Sequence, residues 1–147
     1  MPVVRDLIRT KGNQVWSTAP EASVFEALQL MAEKQVGALL VMRGDEIRGI
    51  ISERDCIRKL DLQGRTARQT KVSEIMTTNV LYVEASETLE ECMAVMTEKR
   101  IRHLPVFDDG HLVGLVSIGD ILKEIITEQK IIISHLEHYI TGGGHPA

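Results

Sequence analysis

Aromatic residues make up only 3% of this 147-residue chain, and cysteine occurs twice, at Cys56 and Cys92. Neither cysteine belongs to a C-x-x-C pair or stands at ligand spacing from a histidine, which argues against a zinc site and a disulfide framework. Both fall on apolar helical faces, where packing is the expected role. Long apolar runs are missing too, since nothing approaches the roughly 20 consecutive residues that a membrane-spanning helix needs. The opening MPVVRDLIRTKG lacks the apolar stretch of a secretory leader, so a soluble, cytoplasmic protein is expected. Positive charge is in deficit, with 17 Lys and Arg against 21 Asp and Glu, which disfavours a sequence-independent grip on DNA or RNA. A small phosphorylated ligand needs only a few local cations and stays open.

What is present is a globular composition, 44% apolar and 26% charged, at a length that suits one domain or two small units sharing a core. The chain is also a doublet. Placing Val15 on Val80 gives an alignment that runs without a gap to Leu60 on Ile125, with Met31/Met96, Lys34/Lys99, Leu39/Leu104, Val41/Val106, Gly49/Gly114, Ser52/Ser117 and Asp55/Asp120 among the identical partners. Internal duplication is the primary organisational fact. The lead-in repeats loosely, VRDLI against VSEIM, but the first copy carries extra residues within RTKGNQ that could shape a loop at a ligand mouth.

Each copy reads as strand, helix, strand, strand, helix. Residues 15–18 and 80–83 are predicted short strands, and Ser23 and Thr88 are predicted N-caps of helices with Val24, Ala27, Leu28 and Met31, or Leu89, Cys92, Met93 and Met96, on one face. Apolar runs around Gly44-Asp45 and Asp109-Gly110 predict hairpins, because those residues tolerate positive φ. The helix after each hairpin opens at Ser52 or Ser117; the second continues far past its counterpart until TGGGHPA stops it. The expected α/β architecture is therefore tandem βαββα repeats. A first domain would span 1–70, a second 71–126, and a helical extension with a tail 127–147. Halves of this size bury too little surface alone; two alike in one chain most simply pack about a pseudo-twofold axis, leaving related interdomain clefts.

The repeated corners GIISERD and GLVSIGD carry the chemistry. A helix N-terminus favours a phosphate oxygen, while Asp55 or Asp120 in the first turn can accept hydrogen bonds from a ribose cis-diol beside Ser52 or Ser117. The same S-x-x-D spacing is a capping box that needs no ligand, and both readings stand. Upstream of the second corner, EKRIRHLPV supplies Arg100, Arg102 and His103, which are natural phosphate partners; a solvated helix end for Arg100 and a half-buried polar role for His103 are the alternatives. The first copy has Gly37 and Ala38 there, so the two sites should differ in charge, and small residues let an adenine ring approach the backbone. Pro105 lacks an N–H, which suits a strand end or edge. Arg54 could meet phosphate or form a surface ion pair. His135 and His138 lack a third ligand and read as exposed helix residues. The stripe Ile126, Ile131, Ile133, Leu136, Tyr139 and Ile140 implies that the last helix packs on something, and a second subunit is one candidate.

These motifs together resemble the paired cystathionine-β-synthase (CBS) domain, or Bateman module, over Val4 to Ile125. RIRHLPV with GLVSIGD, and VGALLV with GIISERD, carry the likeness, and KGNQVWST and TKVSEIM are similar to stand-alone two-CBS proteins. The resemblance implies a disc-like homodimer and binding of an adenosine compound such as AMP, ATP, NAD(H) or S-adenosylmethionine. Carried over by position, Asp55 and Asp120 would take ribose hydroxyls, Ser52 and Ser117 the ribose or phosphate, and Arg102 with His103 the phosphate. Gly37 and Ala38 would border the base, and Arg100, Pro105, Gly119, Arg54 and Thr18 complete the expected nucleotide-binding set. The first copy departs by lacking the HLPV segment and its cations. No Walker A sequence, G-x-G-x-x-G, nucleophile elbow or metal-ligand cluster is present, so no catalysis is expected. A scaffold acting through a dimer surface and the C-terminal helix, with an unknown client, is the alternative to a nucleotide-binding regulatory module.

Overall fold

The computed structural model describes residues 2–140, with side chains through residue 137; the expected stop at TGGGHPA and the side chains of His138, Tyr139 and Ile140 lie outside the described residues. In chain order the elements are α1 (Val4–Lys11), β1 (Ser17–Thr18), α2 (Val24–Lys34), β2 (Ala38–Arg43), β3 (Glu46–Ser52), α3 (Glu53–Lys59), α4 (Val72–Ile75), β4 (Val83–Glu84), α5 (Leu89–Lys99), β5 (His103–Asp108), β6 (His111–Ser117) and α6 (Ile118–Ile140). The chain divides into two compact units, one of Gln14–Tyr82, the other joining the chain up to Asn13 to the chain from Val83 onward. Packing thus groups each lead-in with the other repeat, whereas the division expected at residue 70 follows the sequence duplication.

In the unit Gln14–Tyr82 the sheet order is β1-β2-β3, with β1 parallel and β3 antiparallel to β2. Ser23 caps α2 by accepting the Glu26 N–H at 3.0 Å, and Val24, Ala27 and Met31, spaced by three and four, are buried. They pack with Leu39, Val41 and Ile51 of the sheet and Cys56 of α3. The lead-in closes this core with Val72 and Ile75. It also extends the sheet edge, since Ile50 and Thr77 exchange N–H···O bonds of 2.9 and 2.8 Å. Gly49 makes that approach possible: a Cβ there would lie 2.7 Å from the Thr77 carbonyl oxygen.

The other unit repeats the plan, with sheet order β4-β5-β6. Thr88 caps α5 through the Glu91 N–H at 3.1 Å, and Leu89, Cys92 and Met96 pack with Leu104, Val106, Val116 and Ile121. Helix α1 supplies Val4, Leu7 and Ile8 to this core, and its first N–H groups reach the carbonyls of Glu87 and Ala85 at 2.8 and 2.9 Å. Both hairpins carry the same register shift, at Val41/Met42 and at Val106/Phe107. Asp109 and Gly110, at φ 52° and 78°, make the tight turn expected of that dipeptide.

Pro105 departs from expectation: it sits buried in β5, the central strand, opposite Leu115. The first copy explains how. Its matched residue, Leu40, donates its N–H to Trp16 across the parallel edge at 3.2 Å, and proline has no proton for that bond. Accordingly the parallel strand starts at Ser17 in one unit, opposite Leu40, but only at Val83 in the other, opposite Val106. The missing donor shifts β4 one residue along, at the same two-residue length as β1, rather than displacing β5. Among the described residues no helix is long and apolar enough to cross a membrane.

Candidate functional site

Each hairpin delivers its last residue to a helix start, and one hydrogen bond fixes the corner. The Glu53 N–H reaches the Gly37 carbonyl at 3.0 Å, and at the matched place the Ile118 N–H reaches the Arg102 carbonyl at 2.8 Å. Strand register then places Ala38 opposite Ser52 and His103 opposite Ser117. The first corner therefore brings together Gly37, Ala38, Ser52, Arg54 and Asp55, and the second Arg102, His103, Ser117, Gly119 and Asp120. Thr18 pairs with Val41 on the other side of β2 and is not joined to the first corner. Arg100 ends α5 in the left-handed conformation at φ 56°, exposed, as Gln35 ends α2.

Both Ser/Asp pairs form capping boxes. Ser52 Oγ accepts the Asp55 N–H at 3.2 Å, while Asp55 Oδ2 accepts the Ser52 N–H and hydroxyl, both at 3.0 Å. In the second corner Ser117 Oγ accepts the Asp120 N–H at 3.0 Å and Asp120 Oδ2 accepts the Ser117 N–H at 2.9 Å. Neither carboxylate stands in bulk solvent: the Asp55 side chain is 16% exposed and that of Asp120 27%. Among the described residues the Ser117 hydroxyl proton and Asp120 Oδ1 have no bonded partner, which leaves them for a further acceptor and a further donor.

Lysines then set the corners apart. Lys59, one turn along α3, places Nζ 3.4 Å from Asp55 Oδ1 and donates to the Ile75 carbonyl at 2.9 Å. Lys11, from α1, donates to Asp120 Oδ2 at 2.5 Å and to the Leu115 carbonyl at 2.7 Å. Leu115 matches Ile50, whose carbonyl is met instead by the Thr77 backbone. The extra residues in RTKGNQ thus exchange a backbone bridge for a lysine head. Half-burial pushes the Asp120 carboxyl up, but the Lys11 hydrogen bond, the Ser117 N–H and the Lys11 charge outweigh it, leaving the group below its ordinary value. The duplicated pattern did not point to Lys11; a cation beside a glycine in the unmatched segment was the available signal.

Burial pushes the thiols of Cys56 and Cys92 up to about 11, which keeps them protonated near neutrality. His135 is exposed, and among the described residues no group of three or more His, Cys, Asp or Glu side chains is placed to hold a metal ion.

Two matched corners on duplicated βαββα units have a counterpart in known proteins, for the family model of the CBS domain matches residues 4–62 and again 72–127. The chain belongs to the CBS-domain family. It is 38% identical over 150 residues to the mitochondrial CBS domain-containing protein CBSX3 of Arabidopsis thaliana, covering 95% of this chain and 72% of that one. A solved structure of a protein with CBS domains from Burkholderia ambifaria MC40-6 superposes with a TM-score of 0.83 at 48% identity, over 86% of this chain and 96% of the other. The CBS domain pair of protein MJ0100, crystallised with 5'-methylthioadenosine and S-adenosyl-L-methionine, shares the fold at 22% identity and a TM-score of 0.75, over 87% of this chain and 98% of that one.

Proposed function

We propose that the chain is a non-enzymatic regulatory module that binds an adenosine compound, AMP, ATP, NAD(H) or S-adenosylmethionine, at its Ser/Asp corners. The observation that carries the reading is the second corner, where Asp120 is ionised, half-buried and anchored through Oδ2 while Oδ1 stays open. A fixed carboxylate oxygen suits the two hydroxyls of a ribose. The Ser117 hydroxyl and the neighbouring Arg102 and His103 suit a ribose or phosphate oxygen. In the first corner Gly37 and Ala38 bring no cation, Asp55 has Lys59 at its outer oxygen, and Arg54 is the ligand-facing candidate. That another CBS pair holds adenosine compounds supports the ligand class.

Asp120→Asn tests it. The amide oxygen still accepts the Ser117 N–H, so the helix keeps its cap, but the charge-assisted bonds to the diol weaken and affinity falls about 10- to 100-fold by calorimetry. Titration of the unsubstituted chain with AMP, ATP, NADH and S-adenosylmethionine that yields neither heat nor thermal stabilisation would remove the proposal.

A second reading, a scaffold engaging a partner through α6, is favoured by Ile126, Ile131, Ile132, Ile133 and Leu136, each standing about half exposed on that helix. Under it, a chain ending after Ile125 loses its association in sedimentation measurements while nucleotide binding is unchanged.

A further inference from the structure

Lys11 lies outside the duplicated pattern yet is tied to the second corner at two points. Resting on the adenosine reading above, we infer that Lys11 is a ligand-contacting, specificity-determining residue that makes the second corner prefer phosphorylated over unphosphorylated nucleosides. An ammonium group has three N–H donors. Two are spent here, on Asp120 Oδ2 at 2.5 Å and on the Leu115 carbonyl at 2.7 Å, and the third remains for an oxygen of the ligand. The two bonds hold the head against the carboxylate proposed to take the diol, so a phosphorylated ligand seated there would meet a cation already in place.

The charges of the two corners make the lysine's role specific. Lys59 neutralises Asp55 from within α3, but its matched residue on α6 is Glu124. Without Lys11 the second helix would therefore present Asp120 and Glu124 one turn apart, which opposes a phosphate. The alignment of VRDLI with VSEIM puts Asn79 at the place of Lys11, so the lead-in of the first corner has no cation at that position. Its lysine faces Oδ1 of the carboxylate, the oxygen that stays open at the second.

Calorimetric titration of the full chain with adenosine and with AMP tests the inference. Lys11→Gln weakens AMP about tenfold and leaves adenosine within about twofold, and Lys11→Arg restores most of the AMP affinity because the charge returns. A Lys11→Gln protein that binds both ligands with the unsubstituted chain's ratio overturns the inference and leaves the proposed function standing. If the unsubstituted chain binds neither ligand, this inference fails, and the proposed function falls with it only when ATP, NADH and S-adenosylmethionine give no binding either.

Discussion

Gly49 and Gly114 occupy matched positions, and a methyl group at each meets a different obstacle. At Gly49 it would press on a backbone oxygen, Thr77 O at 2.7 Å; at Gly114 it would press on Ile8 Cδ1 at 2.5 Å, the mobile end of a side chain. Gly49→Ala should therefore cost about 1–3 kcal/mol in urea unfolding, and Gly114→Ala less than half of that. Asp120 gives a pH prediction. Its folded-state value lies below that of the unfolded chain, so its contribution is complete above about pH 4 and disappears as the pH falls through the folded value. Thermal melts below about pH 4 should show a shallower acid decline for Lys11→Gln than for the unsubstituted chain, because the partner that lowers the carboxyl is gone. The Ser/Asp pairs were legible because three-residue spacing is a local signal. Lys11 was not, since its partners lie in β6 and α6 and no periodicity links a lead-in to them.

At the scale of elements, helix starts carry much of the local definition. Thr88→Ala removes one acceptor and should cost about 1 kcal/mol. Ser52→Ala removes both the acceptor for Asp55 N–H and the donor to Asp55 Oδ2, and should cost up to about 2 kcal/mol; chemical denaturation of the two variants side by side checks the order. Hairpins and caps could be read from Gly-Asp, Asp-Gly, Ser23 and Thr88, whose conformational demands are local. The placement of Pro105 could not. Its lost donor faces the parallel neighbour, and only the pairing of Leu40 with Trp16 in the other copy reveals that this side of the strand tolerates the loss.

For the whole molecule, the grouping of lead-ins makes a prediction that separates the units. A chain beginning at Gln14 lacks Val4, Leu7, Ile8 and Lys11, all of which serve the unit built from Val83 onward. Hydrogen exchange should quicken across α5, β5 and β6 while α2, β2 and β3 keep their protection. Equal loss in both units would contradict this division. The sequence marked two repeats, but which lead-in serves which core depends on contacts such as Val4 with Glu87 and Val72 with Ala22, and repeat similarity is blind to them.

This grouping also sets an order of events at the ribosome. By the time Tyr82 has emerged, every segment of one unit is present and it can close. Helix α1 must meanwhile hold Val4, Leu7 and Ile8 without their neighbours until α5 and β6 have been made. Helix α1 is thus made before the partners it packs on, a stretch of newborn chain whose greasy face a chaperone would have reason to shelter.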